Sequence, residues 1–450
     1  MMRSSLLFVV LYTLYSCQGP KSPQGVFDPK LAYELYTSSS GDISLDRAQY
    51  HNQLKGFWLG QCIANWTGLV TEMDKVGSIG EIQTGAFYTR EDWGKVDIPN
   101  IFSTEPSPWS TTIDFVLRDT SEAWGADDDT DIEYMYQSLL YANETSLLTP
   151  AQIRDGWLKH IMADEENFLW VSNQRAFDLM LEGVAPPETS APDRNEHYEM
   201  IDAQLTTEIF GLFAPARPEV ALKMAHLPIR TTARDNAAWI SEFYVIMHSL
   251  ASVPGTWPST GAQLNWMATQ AREHLPDTSY SAKMYDFVKS KYESGVTWEE
   301  ARDAVYQRYQ VEEADGYGIT SRGLYCNGCF AAGINFAASL VSLFYGEGDF
   351  KETVKIGALS GWDSDNPTAT WGGLIGFMLG AEALQDQFDV PLSDQFFIHR
   401  TRQNFPNEGM DDFEQMANVG LFIVDRAVQE QMSGGVDQSS NQWYIPQMSN

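Results

Sequence analysis

Apolar residues recur at helical spacing along most of this chain, and the alternating patterns typical of β-strands are scarce. In the stretch from Asp349 to Leu359 they return every fourth position, which predicts an amphipathic helix that stops at Gly361. A second helix is predicted to begin directly afterwards, with Asn366 as its N-cap and Pro367 in its first position. We therefore expect an all-α protein.

Small residues form a second pattern, in which glycine or alanine returns every fourth position. One stripe runs from Gly56 to Gly68 and another from Gly372 to Gly380. Residues four apart share one face of a helix, so each stripe predicts a helix that packs closely against a neighbour. Glu72 continues the first stripe, and a carboxylate on a buried face needs a partner or belongs to a site. If the helix ends earlier, Glu72 is simply exposed.

Composition limits the function classes. The chain has 450 residues, of which 43% are hydrophobic, enough for a large core. Its 61 acidic residues against 29 basic ones give a net charge of −32, which disfavours binding to nucleic acid or to an anionic membrane surface. The same balance suits a protein that collects divalent cations, although acidic surfaces also serve solubility.

The N-terminus has the features of a secretory signal. Residues 1–17 contain one early arginine, a short apolar run and a small residue before Cys17. This ending resembles a bacterial lipobox, which implies that Cys17 is lipidated and tethers the protein outside the cytoplasm; an ordinary signal peptide is the alternative. We expect a spacer over residues 18–45, one helical domain over residues 46–432 and a loosely packed tail over residues 433–450.

Three further cysteines remain. In an oxidising compartment Cys326 and Cys329 can close a small disulfide, which leaves Cys62 free and buried. A redox-active role is disfavoured because no βαβ pattern surrounds the pair. A zinc site would need more soft ligands, and the seven histidines are scattered.

Two segments gather carboxylates at predicted helix starts. Asp127, Asp128 and Asp129 precede one helical pattern, and Asp363 and Asp365 occupy the short loop before another. Adjacent carboxylates repel one another, so a bound cation is a natural compensation. The alternative is that these residues only cap helices or form a solvated acidic surface.

Taken in order, three segments resemble the motifs of the ADP-ribosylglycohydrolase family. Gly68 to Glu72 is similar to its early Gly-x-x-x-Glu motif, residues 127–130 to its Thr/Ser-Asp-Asp-Thr motif and residues 361–366 to its Gly-x-Asp-x-Asp-Thr motif. The resemblance spans about residues 50–385. Two positions depart from it, because Asp127 stands where the family commonly has Thr or Ser, and Asn366 where it has Thr.

This resemblance implies an all-helical domain that hydrolyses an ADP-ribosyl glycosidic bond with two Mg²⁺ ions, or Mn²⁺. It implies that Glu72 activates water or gates the site, and we expect Asp202 and Trp362 to contact the substrate. The implied metal ligands are Asp127, Asp128, Asp129, Asp363, Asp365 and Asn366.

Two alternatives remain open. A protein outside the cytoplasm seldom meets ADP-ribosylated substrates, so another ribosyl or furanosyl glycoside is a candidate. The family is also similar to lens J1-crystallins, so a non-catalytic sugar-binding or structural relative is another; the retained Glu72 and aspartates argue for kept metal binding. The expected partner is a small or side-chain-linked ribosyl substrate, with no nucleic acid and no membrane contact beyond the lipid.

Overall fold

The structure, a computed structural model, describes residues 25–447. Helices make up most of its regular structure, which confirms the predicted helical fold. Within these residues, none of the helices combines the length and the apolarity that crossing a membrane requires. The helices are α1 (Arg47–Gly68), α2 (Asp128–Ala142), α3 (Pro150–His160), α4 (Val171–Leu181), α5 (Ile209–Leu212), α6 (Pro218–Ile229), α7 (Asp235–Leu250), α8 (Thr260–Arg272), α9 (Tyr280–Glu293), α10 (Trp298–Val305), α11 (Ala332–Gly346), α12 (Phe350–Ser360), α13 (Asp365–Leu379), α14 (Ala381–Gln385) and α15 (Phe413–Glu430).

The strands are short and form three antiparallel sheets. One sheet has three strands in the order β1-β7-β6, and the other two are the pairs β2-β3 and β4-β5. All three are too small to form a layer of their own, so the core lies between helices. The strands are β1 (Asp42–Asp46), β2 (Ser78–Ile79), β3 (Ile82–Gln83), β4 (Gln395–Phe397), β5 (Met410–Asp412), β6 (Gly435–Asp437) and β7 (Gln442–Pro446).

The centre of the fold is the antiparallel packing of α1 against α13. A Cβ atom on Gly60 would lie 2.3 Å from the carbonyl oxygen of Gly372, so the two backbones meet without side chains between them. This confirms the close packing predicted from the small-residue stripes. At the end of α1, a Cβ atom on Gly68 would lie 2.3 Å from the Cα atom of Asp365. The contact therefore places the start of α13 beside the end of α1.

The predicted spacer and loose tail are wrong for the residues described. From residue 25 onward the spacer follows the domain surface and ends in β1, which pairs with β7 so that Asp42 lies opposite Pro446. Residues 433–447 contribute β6 and β7, and the Trp443 side chain is fully buried. The alternation of buried Trp443 and Ile445 with more exposed neighbours gives β7 an apolar face, which explains why the segment packs. Residues 18–24 and Cys17 lie outside the described residues.

A buried ion pair joins the start of α1 to α15 next to this sheet. The Arg47 guanidinium donates to both carboxylate oxygens of Asp425, at 2.9 and 2.8 Å, and both side chains are fully buried. Tyr33 and Trp443 also donate to Asp425, at 2.7 and 2.6 Å. Every oxygen of the buried carboxylate thus has a partner, as a buried charge requires.

The cysteine predictions are confirmed. Cys326 and Cys329 form a disulfide, and Cys62 is free and buried in α1. The disulfide closes the loop that leads into α11.

Candidate metal centre

A cavity of about 290 Å³ opens where the end of α1, the start of α2 and the start of α13 meet. Eight of its twenty lining residues are acidic, and two of them belong to the predicted catalytic and substrate-binding set, Glu72 and Asp202. The acidic lining residues are Glu72, Asp127, Asp128, Asp129, Asp131, Asp202, Asp363 and Asp365.

Five of these carboxylates form two groups that share one residue. In the first group, one oxygen from each of Glu72, Asp363 and Asp365 lies within 4.8 Å of the others, and in the second the same holds for Asp127, Asp129 and Asp365. Three carboxylates at such spacing can surround one divalent cation. Because Asp365 belongs to both groups, the arrangement has the form of two adjacent cation sites with a shared ligand.

Two helix N-termini direct the aspartates into the cavity. Asp127 is the N-cap of α2, and its carboxylate accepts from the Asp129 backbone N–H at 3.2 Å. Asp365 is the first residue of α13. Helix N-termini carry partial positive charge, so these positions tolerate carboxylates better than other buried positions would.

The predicted N-cap of α13 is wrong by two residues. Ser364 takes that place, and Asn366 lies inside the first turn. There the Asn366 Nδ2 group donates to Asp129 Oδ1 at 3.2 Å, while its Oδ1 atom accepts from Gln204 at 3.1 Å. Asn366 therefore positions Asp129, and its role as a metal ligand stays a prediction, because its Oδ1 atom keeps a second lone pair beside the bond from Gln204.

The position of Glu72 matches neither alternative drawn from the sequence, which were a buried helix face and an exposed residue. Helix α1 ends at Gly68, so Glu72 lies in the following turn rather than on the helix, yet it is only partly exposed. Two backbone hydrogen bonds tie this turn to the loop before α13: Met73 N–H donates to the Trp362 carbonyl at 2.9 Å, and Trp362 N–H donates to the Lys75 carbonyl at 2.8 Å. These bonds place Glu72 beside Asp363.

The cluster carries like charge without a cationic partner. Within residues 25–447, no Lys, Arg or His forms an ion pair with its carboxylates. Burial, followed by repulsion from Asp365 and other cluster members, holds the pKa of Glu72 and of Asp129 well above the usual range. Burial also raises the pKa of Asp365 to about 6.

Two carboxylate oxygens of the cluster are buried without a hydrogen-bond donor in the described part of the chain. Asp127 Oδ2 and Asp365 Oδ1 are buried and accept no hydrogen bond from any described residue. Leaving such atoms unpaired is costly, and hard oxygen donors are the ligands that Mg²⁺ and Mn²⁺ prefer. The donor set therefore fits divalent cations.

Two other predicted residues line the cavity without joining either group. Asp128 faces the cavity at the start of α2 but belongs to neither set of three carboxylates. Asp202 is buried, and its two oxygens accept from the Ser172 hydroxyl at 2.5 Å and from the Asn173 backbone N–H at 2.9 Å. Asp202 thus joins the start of α4 to the cavity wall.

The structure contradicts the prediction for Trp362. Its side chain is fully buried, does not line the cavity and donates from Nε1 to Gln310 Oε1 at 2.6 Å. The positive φ of Gly361 and of Trp362 turns the chain sharply before Asp363, which directs the indole into the core and the carboxylate toward the cavity. Trp362 shapes the loop and does not contact the cavity.

Several lining residues were not found from the sequence. Arg402 Nε lies 2.9 Å from Asp131 Oδ2, and both side chains are almost completely buried. Asp131 follows Asp127 by one helical turn, and this spacing could have indicated it; Arg402 and the neighbouring His399 carry no local signal. Five aromatic side chains complete the wall: Trp66, Trp109, Phe168, Trp170 and Phe330.

Comparison with known proteins agrees with this geometry. The ADP-ribosylglycohydrolase family profile matches residues 46–427. A solved structure described as an "ADP-ribosylglycohydrolase-related protein complex" aligns with a TM-score of 0.42 and 13% identity, over 84% of this chain and 99% of that chain, a likeness too weak to carry an argument. No curated protein matches the sequence. Since the family match extends over most of the chain and includes every carboxylate of the two groups, the protein belongs to the ADP-ribosylglycohydrolase family.

Proposed function

We propose that this protein hydrolyses a glycosidic bond at a ribose-type anomeric carbon, with two divalent cations, Mg²⁺ or Mn²⁺, as cofactors. One observation carries the proposal: two groups of three carboxylates share Asp365 inside one cavity. Asp363 would hold one cation, Asp127 with Asp129 the other, and Asp365 both, while Glu72 lies beside the first cation with its carboxylate available to water. When bound, such cations supply Lewis-acid polarisation and bind vicinal sugar hydroxyls.

Glu72 is the best placed proton acceptor of the cluster. It is partly exposed at the cavity, whereas Asp129, Asp363 and Asp365 are buried and the partly exposed Asp127 is engaged as the N-cap of α2. Burial and repulsion from Asp365 raise the pKa of Glu72, and a raised pKa makes a carboxylate a stronger proton acceptor. In the proposed reaction the water oxygen bonds to the anomeric carbon, Glu72 takes a water proton, and the bond from that carbon to the leaving group breaks as the leaving group gains a proton.

The family name points to ADP-ribosyl bonds as the first substrate class to test. A second candidate is another ribosyl or furanosyl glycoside, because cations held by the two carboxylate groups would bind sugar hydroxyls whether or not the sugar carries a diphosphate. A non-catalytic sugar-binding role is the third possibility.

Glu72→Gln tests the catalytic proposal. The amide keeps the shape but accepts no proton, so we expect turnover to fall by roughly 10²- to 10⁴-fold with the fold retained. The assay measures hydrolysis of ADP-ribosylated peptides and of 4-nitrophenyl ribofuranosides with Mg²⁺. The matched control is Glu81→Gln, an exposed glutamate in the turn between β2 and β3.

Two outcomes would contradict the proposed reaction. Full activity in Glu72→Gln would exclude Glu72 as the base. If the wild-type protein cleaves none of these compounds but binds ribose with Mg²⁺ in calorimetry, the non-catalytic role replaces hydrolysis.

A further inference from the structure

Asp363 follows two residues whose backbone lies in the left-handed region. The φ angle is 92° at Gly361 and 55° at Trp362, and a tryptophan takes such an angle only where its surroundings impose it. Local preference therefore does not place the Asp363 carboxylate. Hydrogen bonds from other elements of the fold must hold this loop.

The side chain of Asn335, in α11, holds Asp363 directly. Its Oδ1 atom accepts from the Asp363 backbone N–H at 3.1 Å, and the side chain is fully buried. The backbone bonds of Trp362 tie the same loop to the turn that carries Glu72. Asn335 thus adds a second point of attachment, at the residue whose carboxylate faces the cavity.

The Asn335 amide is itself fixed in one orientation. Its Nδ2 group donates to the Cys329 carbonyl at 3.1 Å and to the Ala331 carbonyl at 3.0 Å. A flipped amide would point its oxygen at two carbonyl oxygens and its nitrogen at the Asp363 N–H, which cannot form these bonds. The amide therefore joins the segment before α11 to the loop before α13.

The disulfide holds the first of these carbonyls in place. It closes the loop from Cys326 to Cys329, in which Cys326, Asn327 and Gly328 have φ angles of 40°, 53° and 83°. Three successive left-handed residues, two of them not glycine, persist only under an external constraint, and the covalent bond supplies it. Cys329, at the end of this loop, is fully buried.

The segment after the disulfide is attached to the cavity wall as well. Ile201 N–H donates to the Phe330 carbonyl and Ala332 N–H to the Glu199 carbonyl, both at 3.0 Å. Asp202, which lines the cavity, directly follows Ile201. The start of α11 is therefore connected to two parts of the wall, one near Asp202 and one at Asp363.

We infer that Asn335 is a positioning residue of the metal centre, which holds Asp363 toward its cation, and that the disulfide holds Asn335. Asn335 does not line the cavity, so it acts through Asp363 and not as a ligand. The inference rests on the two cations of the proposed function and not on hydrolysis.

The effect of Asn335 is expected to be confined to one cation. Within residues 25–447, its side chain forms hydrogen bonds with Cys329, Ala331 and Asp363 and with none of the ligands proposed for the other cation. Partners that orient a metal ligand are worth about 10- to 100-fold in metal affinity. This selectivity separates positioning from a general effect on stability.

Calorimetry with Mn²⁺ on Asn335→Ala tests the inference. We expect one of two ions to bind about 10- to 100-fold more weakly, and the other to keep its affinity within about threefold. Electron paramagnetic resonance gives an independent signature. At a Mn²⁺ concentration that fills both sites of the wild type, its spectrum should be that of a coupled pair, and the spectrum of the variant should be dominated by isolated ions.

Asn195→Ala is the matched control. Asn195 is equally buried, its Nδ2 group donates to the Ser172 and Thr189 carbonyls at 3.1 Å, and its Oδ1 atom accepts from the His197 N–H at 3.1 Å. The two asparagines thus have the same bonding pattern, but none of these partners belongs to a carboxylate group. Both variants should melt at lower temperature, and only Asn335→Ala should change Mn²⁺ affinity.

A double variant, Cys326→Ser with Cys329→Ser, tests the role of the disulfide. Asn335 remains, so we expect a smaller loss of affinity for the same ion, about three- to tenfold. Amide hydrogen exchange in EDTA follows the bond itself. The Asp363 N–H should be protected in the wild type and exchange about tenfold faster in the double variant.

The proposals fail separately. Unchanged affinity for both ions in Asn335→Ala, or equal loss at both, would overturn the inference while hydrolysis stands, and unchanged affinity in the double variant would overturn the role of the disulfide. Lack of hydrolysis with these Mn²⁺ effects intact would overturn the reaction alone. A wild-type protein that binds no Mn²⁺ would overturn the metal centre and this inference together.

Folding of the variants does not limit the test. If Asn335→Ala does not fold, Asn335→Leu replaces it, because leucine has a similar shape without the amide. If neither folds, exchange of the Asp363 N–H in the wild type decides. Protection that increases with Mg²⁺ supports the inference, and rapid exchange or protection that Mg²⁺ leaves unchanged refutes it.

Discussion

Asp365→Asn should make the metal-free protein more stable and the metal-loaded protein less stable. Asp365 is the one residue in both carboxylate groups, so its charge repels four neighbours without cations and binds both cations when they are present. Asparagine has nearly the same shape, and the position is buried at the start of α13. The substitution therefore changes charge and little else.

The magnitude follows from the spacing. Two unit charges at the 4.8 Å limit of the groups repel by roughly 3 kcal/mol at an effective dielectric constant of 20. Proton uptake reduces this value, because burial already raises the pKa of Asp365 to about 6. In the other direction, a cation at 100 times its Kd stabilises the fold by about 2.7 kcal/mol per site, and the variant loses this at both sites.

The assay is thermal unfolding at pH 7.5, with EDTA and with Mg²⁺, combined with calorimetric stoichiometry. We expect about two ions for the wild type, one for Asp127→Asn and none or very weak binding for Asp365→Asn. Asp389→Asn, an exposed aspartate that does not line the cavity, is the control. Unchanged stoichiometry in Asp365→Asn would refute the shared-ligand arrangement, and equal loss of stability with and without Mg²⁺ would show a purely structural role.

Two further predictions concern packing and pH. Gly60→Ala should lower the free energy of unfolding by about 1–3 kcal/mol in urea titrations, because its Cβ would lie 2.3 Å from the Gly372 carbonyl oxygen. The control, Gly318→Ala, places its Cβ where no atom lies within 4 Å and should leave stability unchanged. Equal effects of the two substitutions would contradict the packing argument. Burial raises the pKa of Asp74 to about 8, although the Tyr88 hydroxyl donates to it at 2.8 Å. The folded state thus binds this proton more tightly than the unfolded chain, so stability falls as pH rises from about 4 to 8, with a slope of at most about 1.4 kcal/mol per pH unit for this group. Asp74→Asn should flatten the dependence, measured as melting temperature with EDTA, and an unchanged slope would show that other groups cause it.

Local sequence determined the helices and the motifs. Period-four stripes of glycine and alanine allow a neighbouring backbone to reach contact distance, so close packing of α1 against another helix could be predicted from Gly56 to Gly68 alone, whereas the structure identified α13 as that helix. The aspartate segments were recognisable because carboxylates favour helix starts, and their spacing is a local property. The disulfide between Cys326 and Cys329 was likewise predictable from a short separation.

Only the tertiary structure decided which of these residues share a site. Glu72 reaches Asp363 because backbone hydrogen bonds join two distant turns, and Trp362 leaves the cavity because the positive φ of its loop turns the indole inward. Arg402 pairs with Asp131 across more than 250 positions of sequence, a contact without any local signal. Periodicity and capping express interactions within a few residues, whereas burial, ion pairing and cavity lining depend on which segments the whole fold brings together.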